Sequence, residues 1–258
     1  MARKWAKFPY ADKAYVYGEA ALKKHWARLH RGDVEPLPRQ ADALSAWASY
    51  HAGDFQSAVE AGRAAGDAGA NAAIKAQAIY ATYLEKDEKT RLALFQEAAD
   101  WALARREAAP ADPNAHYLYA YSLGRYGQGI SVAKALAQGF GGKIRDALQA
   151  ALKRSPSHAD AHTAFGAYQA AVIEKVGALV AGVTYGAKKD SAIEHFQKAL
   201  KLFPESAIAR VEYANGLLLM FGNARLDEAT RLYEQAAQAK PADAMERLDV
   251  ELARSELE

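Results

Sequence analysis

The chain has 258 residues, of which 51% are hydrophobic and 25% charged, and this composition excludes a disordered polypeptide. The net charge of +2 gives no reason to expect a nucleic-acid partner, and the absence of cysteine excludes disulfides, thiolate catalysis and cysteine metal sites. No segment approaches the roughly 20 apolar residues that a membrane span requires.

Residues 1–38 are predicted to form a basic N-terminal capping helix followed by a linker. Leu22, Trp26 and Leu29 are spaced as the apolar stripe of one helix. The stretch "HRGDVEPLP" is typical of a linker because it combines glycine with two prolines. The basic N-terminus is not followed by the apolar region of a secretory signal, so we predict a cytoplasmic protein.

Residues 39–241 are predicted to form about five helix–turn–helix units. In "SAIEHFQKALKLFPES", Ile193, Phe196 and Ala199 fall on one helical face, and Pro204 ends the helix. The same plan recurs in "HAGDFQSAVEAGRAAG", "KIRDALQAALKRSPSHAD" and "DEATRLYEQAAQAKPAD". Residues 242–258 are predicted to form a charged C-terminal capping helix. The predicted fold class is therefore all-α.

On these residues the chain resembles the tetratricopeptide repeat (TPR) proteins, whose unit is a 34-residue helix–turn–helix. The resemblance implies an α-solenoid whose concave face, lined by the first helix of each unit, binds a peptide or a helix of a protein partner. By register, the resemblance carries partner binding onto the following residues: Asn114, Tyr117, Tyr121, Arg125, Asp160, Thr163, Val211 and Asn215.

Two units are longer than the TPR period. Pro110 and Pro156 are separated by 46 residues, and Pro156 and Pro204 by 48. The extra residues, near 127–142 and 174–189, lie between the two helices of their units and include the similar stretches "ALAQGFGGK" and "ALVAGVTYGAK". Stacked repeats place such insertions at one edge, so we expect the two to be neighbours.

The insertions either cover one another as core or form an apolar binding surface, because an exposed apolar patch commonly marks an interaction site. The residues predicted for that surface are Leu136, Phe140, Leu179, Val183 and Tyr185. The alternatives for their role are contact with a protein partner and an enclosed chamber for a small apolar ligand.

The motifs that would support catalysis or cofactor binding are incomplete. "GFGGKI" lacks the first glycine and the Ser/Thr of a phosphate-binding loop. In "HADAH", His158 and His162 are four residues apart, but no glutamate completes the zinc-protease pattern and no third ligand is evident. We expect His158 to be exposed. The sequence predicts no catalytic residues, no metal site and no cofactor.

The stretches "HYLYAYSLGRYGQGIS" and "KVGALVAGVTYGAKK" are also similar to two decorated TPR-like groups. These are the T-component of tripartite substrate transporters and the regulators of microtubule dynamics. The sequence thus predicts a non-enzymatic interaction or scaffold protein, and the alternative is a carrier of a small apolar ligand. It leaves the partner and the oligomeric state open.

Overall fold

The computed structural model describes residues 4–258, so the first three residues of the predicted N-terminal cap lie outside the described residues. The described part of the chain contains helices and no strands, which confirms the all-α prediction. Its α-helices are α1 Glu19–Leu29, α2 Ala41–His51, α3 Phe55–Ala64, α4 Ala70–Tyr83, α5 Glu88–Ala108, α6 Pro113–Gln128, α7 Val132–Ala137, α8 Phe140–Arg154, α9 Ala159–Val176, α10 Ala178–Val180, α11 Lys189–Leu202, α12 Ala207–Phe221, α13 Leu226–Ala237 and α14 Ala244–Ser255.

The chain divides into two compact units. Unit 1 contains residues 4–30, Glu35–Ile130 and Ala242–Met245, and unit 2 contains Arg31–Val34, Ser131–Pro241 and Glu246–Glu258. These divisions differ from the domain limits expected from the sequence, which stay a prediction. The third repeat is divided at its insertion, since its first helix α6 belongs to unit 1 and its second helix α8 to unit 2.

The helices pair as TPR-like repeats. In unit 1, α2 packs on α3, α4 on α5, and α5 on α6. In unit 2, α9 packs on α11 and α12 on α13, while α9 also contacts α12. A short helical segment lies between the two helices of each long repeat: α7 separates α6 from α8, and α10 with a π-helical segment, Ala181–Tyr185, separates α9 from α11.

Polar side chains cap several of these helices by accepting backbone N–H groups that have no partner inside the helix. Asp54 caps α3, Asp87 caps α5 and Asp112 caps α6. His158 caps α9 through its Nδ1 atom, and Ser206 caps α12. Local capping chemistry thus sets where these helices begin.

Aromatic side chains pack together where α1 meets α2 in the core of unit 1. Leu22, Trp26 and Leu29 are buried, which confirms the predicted apolar stripe of α1. The Trp26 ring meets the buried Trp47 ring of α2 edge to face, with centroids 6.1 Å apart. Such aromatic packing binds the N-terminal helix to the first repeat.

A buried polar chain lies beside these rings. His51 Nδ1 is 2.6 Å from Asp243 Oδ2, and His51 Nε2 is 3.2 Å from His30 Nε2. The Tyr17 hydroxyl donates to the Ala242 carbonyl at 2.7 Å. These contacts, all within unit 1, fix the segment Ala242–Met245 against α2 and the residues that flank α1.

Phe196 is the central side chain of the unit 2 core. Its ring is fully buried and stacks on Tyr213, with centroids 5.0 Å apart. A Cβ atom built on Gly166 or Gly216 would lie 2.8 Å or 2.7 Å from that ring. The two glycines therefore leave the space in α9 and α12 that the aromatic ring of α11 fills.

Candidate functional site

The partner-binding residues predicted in unit 1 lie along α6. Tyr121 and Arg125 are half-buried: the Tyr121 hydroxyl is 2.8 Å from Thr82 Oγ1, and the Arg125 guanidinium lies 5.3 Å from the Tyr121 ring centre. Asn114 and Tyr117, which register assigned to the concave face, are buried. Asn114 donates to Glu35 of the linker, and Tyr117 packs on Tyr121 of the same helix.

The residues predicted in unit 2 also divide by exposure. Asp160 and Asn215 are half-buried, and Asn215 Oδ1 accepts from the Tyr233 hydroxyl at 2.5 Å. Thr163 and Val211, which register also assigned to the concave face, are buried. The Thr163 hydroxyl donates within its own helix, and Val211 packs in an apolar cluster with Tyr233. Neither side chain is available to a partner in this structure.

The two insertions meet in unit 2. Tyr185, half-buried in the second insertion, packs on Gly141 at the end of the first, so closely that a Cβ on Gly141 would lie 2.6 Å from the ring. Ala181 and Ala187 are buried in the same cluster as Phe196. Glycines with positive φ, Gly139 at 66° and Gly186 at 67°, end the insertions.

This anchoring leaves large apolar side chains facing solvent. Leu179 is 80% exposed, Val183 82% and Leu136 46%, and Val180 is exposed as well. We call these four residues the insertion surface. Phe140, which the sequence assigned to that surface, is buried instead. As the first residue of α8, Phe140 lies where the insertion rejoins the repeat.

Two histidines of unit 2 form a hydrogen-bonded pair. His162 Nε2 is 3.1 Å from the Pro156 carbonyl oxygen, which can only accept, so Nε2 carries the proton. His162 Nδ1 then accepts from His195 Nδ1–H at 2.8 Å. His158 does not join them: it is buried as the cap of α9, and the expectation that it is exposed is wrong.

The histidine pair borders an open cavity of about 440 Å³. The cavity is lined by Gln149, Leu152, Lys153, Pro156, His162, Phe165, His195 and Lys198. None of the insertion residues lines it. The cavity is therefore separate from the chamber that a ligand carrier would need between the insertions.

Acidification is expected to lower the stability of unit 2 through this pair. Burial lowers the pKa of His195 to about 4, and burial also lowers the pKa of His162, from an ordinary value of 6.5. Between pH 6.5 and 4, these histidines therefore bind protons in the unfolded chain but much less in the folded chain. The free energy of unfolding falls as the pH falls. Thermal unfolding at pH 7 and pH 4.5 measures this loss, and His195→Gln should reduce it. Equal pH dependence in both proteins would contradict the prediction.

Sequence reasoning missed Glu35 and Asn71. The Glu35 carboxylate accepts from Asn114 Nδ2 at 2.6 Å and from Asn71 Nδ2 at 3.0 Å. The sequence feature that could have identified Asn71 is its position, because Asn71 and Asn114 are each the second residue of the first helix of a repeat. The linker was interpreted only as a connection.

Two further kinds of feature are absent from the described residues. Within residues 4–258, no group of three or more His, Asp or Glu side chains is arranged to hold a metal ion. In the same part of the chain, no helix has the length and apolar character needed to cross a membrane.

Comparison with known proteins agrees with the repeat architecture. A solved structure of a thermophilic TPR protein from Thermus thermophilus is similar, with a TM-score of 0.57 and 16% sequence identity, over 83% of this chain and 97% of that chain. No curated protein sequence matches the chain. A family model described as "Regulator of microtubule dynamics protein 1-3" matches residues 39–256. The chain has the TPR-type fold, and it belongs to the Regulator of microtubule dynamics protein 1-3 family.

Proposed function

We propose that this protein is a non-enzymatic scaffold that binds a peptide or helix of a protein partner through the insertion surface of unit 2. The TPR-like fold and the family point to a protein-interaction role. TPR-type repeats bind extended or helical segments of other proteins. The cytoplasmic location and the resemblance to transport components stay predictions.

The exposure of Leu179 and Val183 carries the proposal. Both side chains are at least 80% exposed, although they lie in an uncharged stretch, residues 176–187, that has a lysine at each end. Neighbouring residues of the same insertion, Ala181, Ala187 and Tyr185, already supply its packing. Exposed aliphatic side chains that a fold does not need for its core are typical of an interaction site.

The charges beside the insertion surface favour a partner with acidic flanks. Lys134 and Lys143 of the first insertion and Lys188 of the second are exposed, and none makes an ion pair within the described chain. An amphipathic segment with an apolar face and acidic neighbours would match them. Such charges mainly accelerate association and select among partners, while the buried apolar contacts supply most of the affinity.

Half-buried residues of the predicted concave face are candidates for secondary contacts. Tyr121 and Arg125 of unit 1 and Asp160 and Asn215 of unit 2 retain exposed area. The buried Asn114, Tyr117, Thr163 and Val211 do not, and they are not proposed as direct contacts in this conformation.

The double substitution Leu179→Ser and Val183→Ser tests the proposal. Loss of two exposed apolar anchors is expected to reduce partner capture by about tenfold or more. Stability should change by less than about 0.5 kcal/mol per site, because both side chains face solvent. The measurement is quantitative mass spectrometry of proteins retained by the immobilised chain from native cell extract, with circular dichroism as the check of folding.

Leu226→Ser is the matched control, since Leu226 is 47% exposed but lies at the start of α13, outside the insertions. Equal capture by all three proteins would contradict the proposal. Point substitutions are preferred to deleting the insertion, because deletion would remove the buried Ala181 and Ala187. Selective loss of bound lipids rather than proteins would favour the small-ligand carrier instead.

A further inference from the structure

The linker that follows α1 is held by contacts at one recurring position of the repeats. In unit 1, Glu35 Oε2 accepts from both Asn71 and Asn114, at 3.0 Å and 2.6 Å. Asn71 is the second residue of α4 and Asn114 the second residue of α6, and these are first helices of successive repeats. One carboxylate oxygen is therefore bound by two equivalent amides.

The same helix position contacts the linker in unit 2. Asp160, the second residue of α9, donates its backbone N–H to the Gly32 carbonyl at 3.0 Å. The Asp160 side chain also lies against Gly32, where a Cβ would come within 2.3 Å of Oδ1. Arg31 continues these contacts by donating to the Leu202 carbonyl and to Glu205, each at 3.1 Å. Residues 31–33 form a turn, and these backbone and side-chain hydrogen bonds hold that turn within unit 2.

The linker backbone is strained where it is held. Val34 has a φ of +53°, a conformation that is a true outlier for a β-branched residue. Such strain persists only when surrounding contacts impose it. Contacts with the rest of the protein thus impose the linker conformation, against the backbone preference of Val34.

Two buried polar atoms near Glu35 make no hydrogen bond with the linker. Asn71 is buried, yet its Oδ1 atom has no hydrogen-bond partner among the described residues, and the same holds for Arg105 Nε. The Arg105 guanidinium reaches Asp112 Oδ2 at 3.3 Å and offsets the charge of this second carboxylate. Buried polar atoms without partners are costly. Arg105 Nε can donate to an acidic ligand, whereas Asn71 Oδ1 only accepts and would need a donor.

We infer that Glu35 of the linker is an internal ligand of unit 1, and that Asn71 and Asn114 form a subsite for an acidic side chain of an extended partner peptide. The partner would place a glutamate or aspartate where Glu35 lies, and it would have to displace the linker to bind. The inference rests on the proposed protein-binding function. Its test does not involve the insertion surface, so either idea can fail alone.

A labelled copy of the linker provides the probe. Fluorescein-labelled peptide HRGDVEPLP, the sequence of residues 30–38, is titrated against the full chain and followed by anisotropy. The tethered linker has an effective concentration near the millimolar range, so the wild-type chain should bind the peptide weakly. The double variant Arg31→Ala and Glu35→Gln weakens both ends of the internal segment and should bind about tenfold more tightly.

Two controls identify the subsite. The peptide HRGDVQPLP, which has glutamine in place of the glutamate, should bind the same double variant about tenfold more weakly, since it loses the charged acceptor. Adding Asn71→Ala and Asn114→Ala to the double variant should return binding to the wild-type level. If that protein does not fold, the glutamine peptide alone decides. Equal binding of both peptides, or no gain in the double variant, would overturn the inference.

Discussion

Phe196→Ala is expected to lower the free energy of unfolding of unit 2 by about 3–5 kcal/mol. The ring is fully buried, stacks on Tyr213 and fills the space left by Gly166 and Gly216. Neighbouring groups cannot refill the space left by the ring, because Gly166 and Gly216 have no side chains that could move into the cavity. The cost therefore includes both the lost burial and the cavity that remains.

Urea unfolding followed by far-ultraviolet circular dichroism measures this loss. Phe165→Ala is the matched control, since Phe165 is an aromatic residue of the same unit but is only half-buried, at the edge of the open cavity. The control should lose clearly less stability than Phe196→Ala. A loss below about 1 kcal/mol for Phe196→Ala would show that the ring is not central to the unit 2 core.

His51→Ala is expected to destabilise unit 1 by about 1–3 kcal/mol, because it leaves buried polar groups without a hydrogen-bond partner. His51 joins two buried groups, His30 at 3.2 Å and the Asp243 carboxylate at 2.6 Å. Without the imidazole, Asp243 loses this partner while staying buried, and a buried carboxylate with incomplete hydrogen bonding is costly. The substitution should also release the segment Ala242–Met245 from α2.

Tryptophan fluorescence reports this change selectively, because all four tryptophans, Trp5, Trp26, Trp47 and Trp101, belong to unit 1. The denaturation midpoint of the fluorescence signal should fall in His51→Ala. His25→Ala provides the control, since His25 is exposed on α1. If both histidine variants unfold at the same denaturant concentration, the buried chain contributes no special stability. Comparing fluorescence with circular dichroism also tells whether the two units unfold together.

Regular features of this fold were predictable from the sequence. The helical spacing of Leu22, Trp26 and Leu29 identified a buried stripe, and the spacing around Phe196 identified the inner face of α11. Excess length between prolines located both insertions. These predictions succeed because the 3.6-residue period and the proline stops act over a few residues, within one helix.

Exposure on the candidate surface was less predictable. Register placed Asn114 and Val211 on the first helices correctly, but it could not show that Glu35 binds Asn114 or that Val211 enters a core with Tyr233. Phe140 was assigned to the apolar surface of the first insertion and proved to be the buried start of α8. A pattern within one helix reveals which residues share a face, not which distant segment covers that face.

By itself, therefore, the sequence determined the helices, the repeat and the extra length within two of the repeats, all of which follow from interactions between residues close along the chain. Only the tertiary structure decided that Leu179 and Val183 face solvent and that His162 pairs with His195. It also decided that Glu35 of the linker binds Asn71 and Asn114. Asn114 and Glu35 are 79 residues apart. Contacts across such distances depend on how whole helices pack, and this packing is set by shape complementarity and the pairing of buried polar groups summed over many residues.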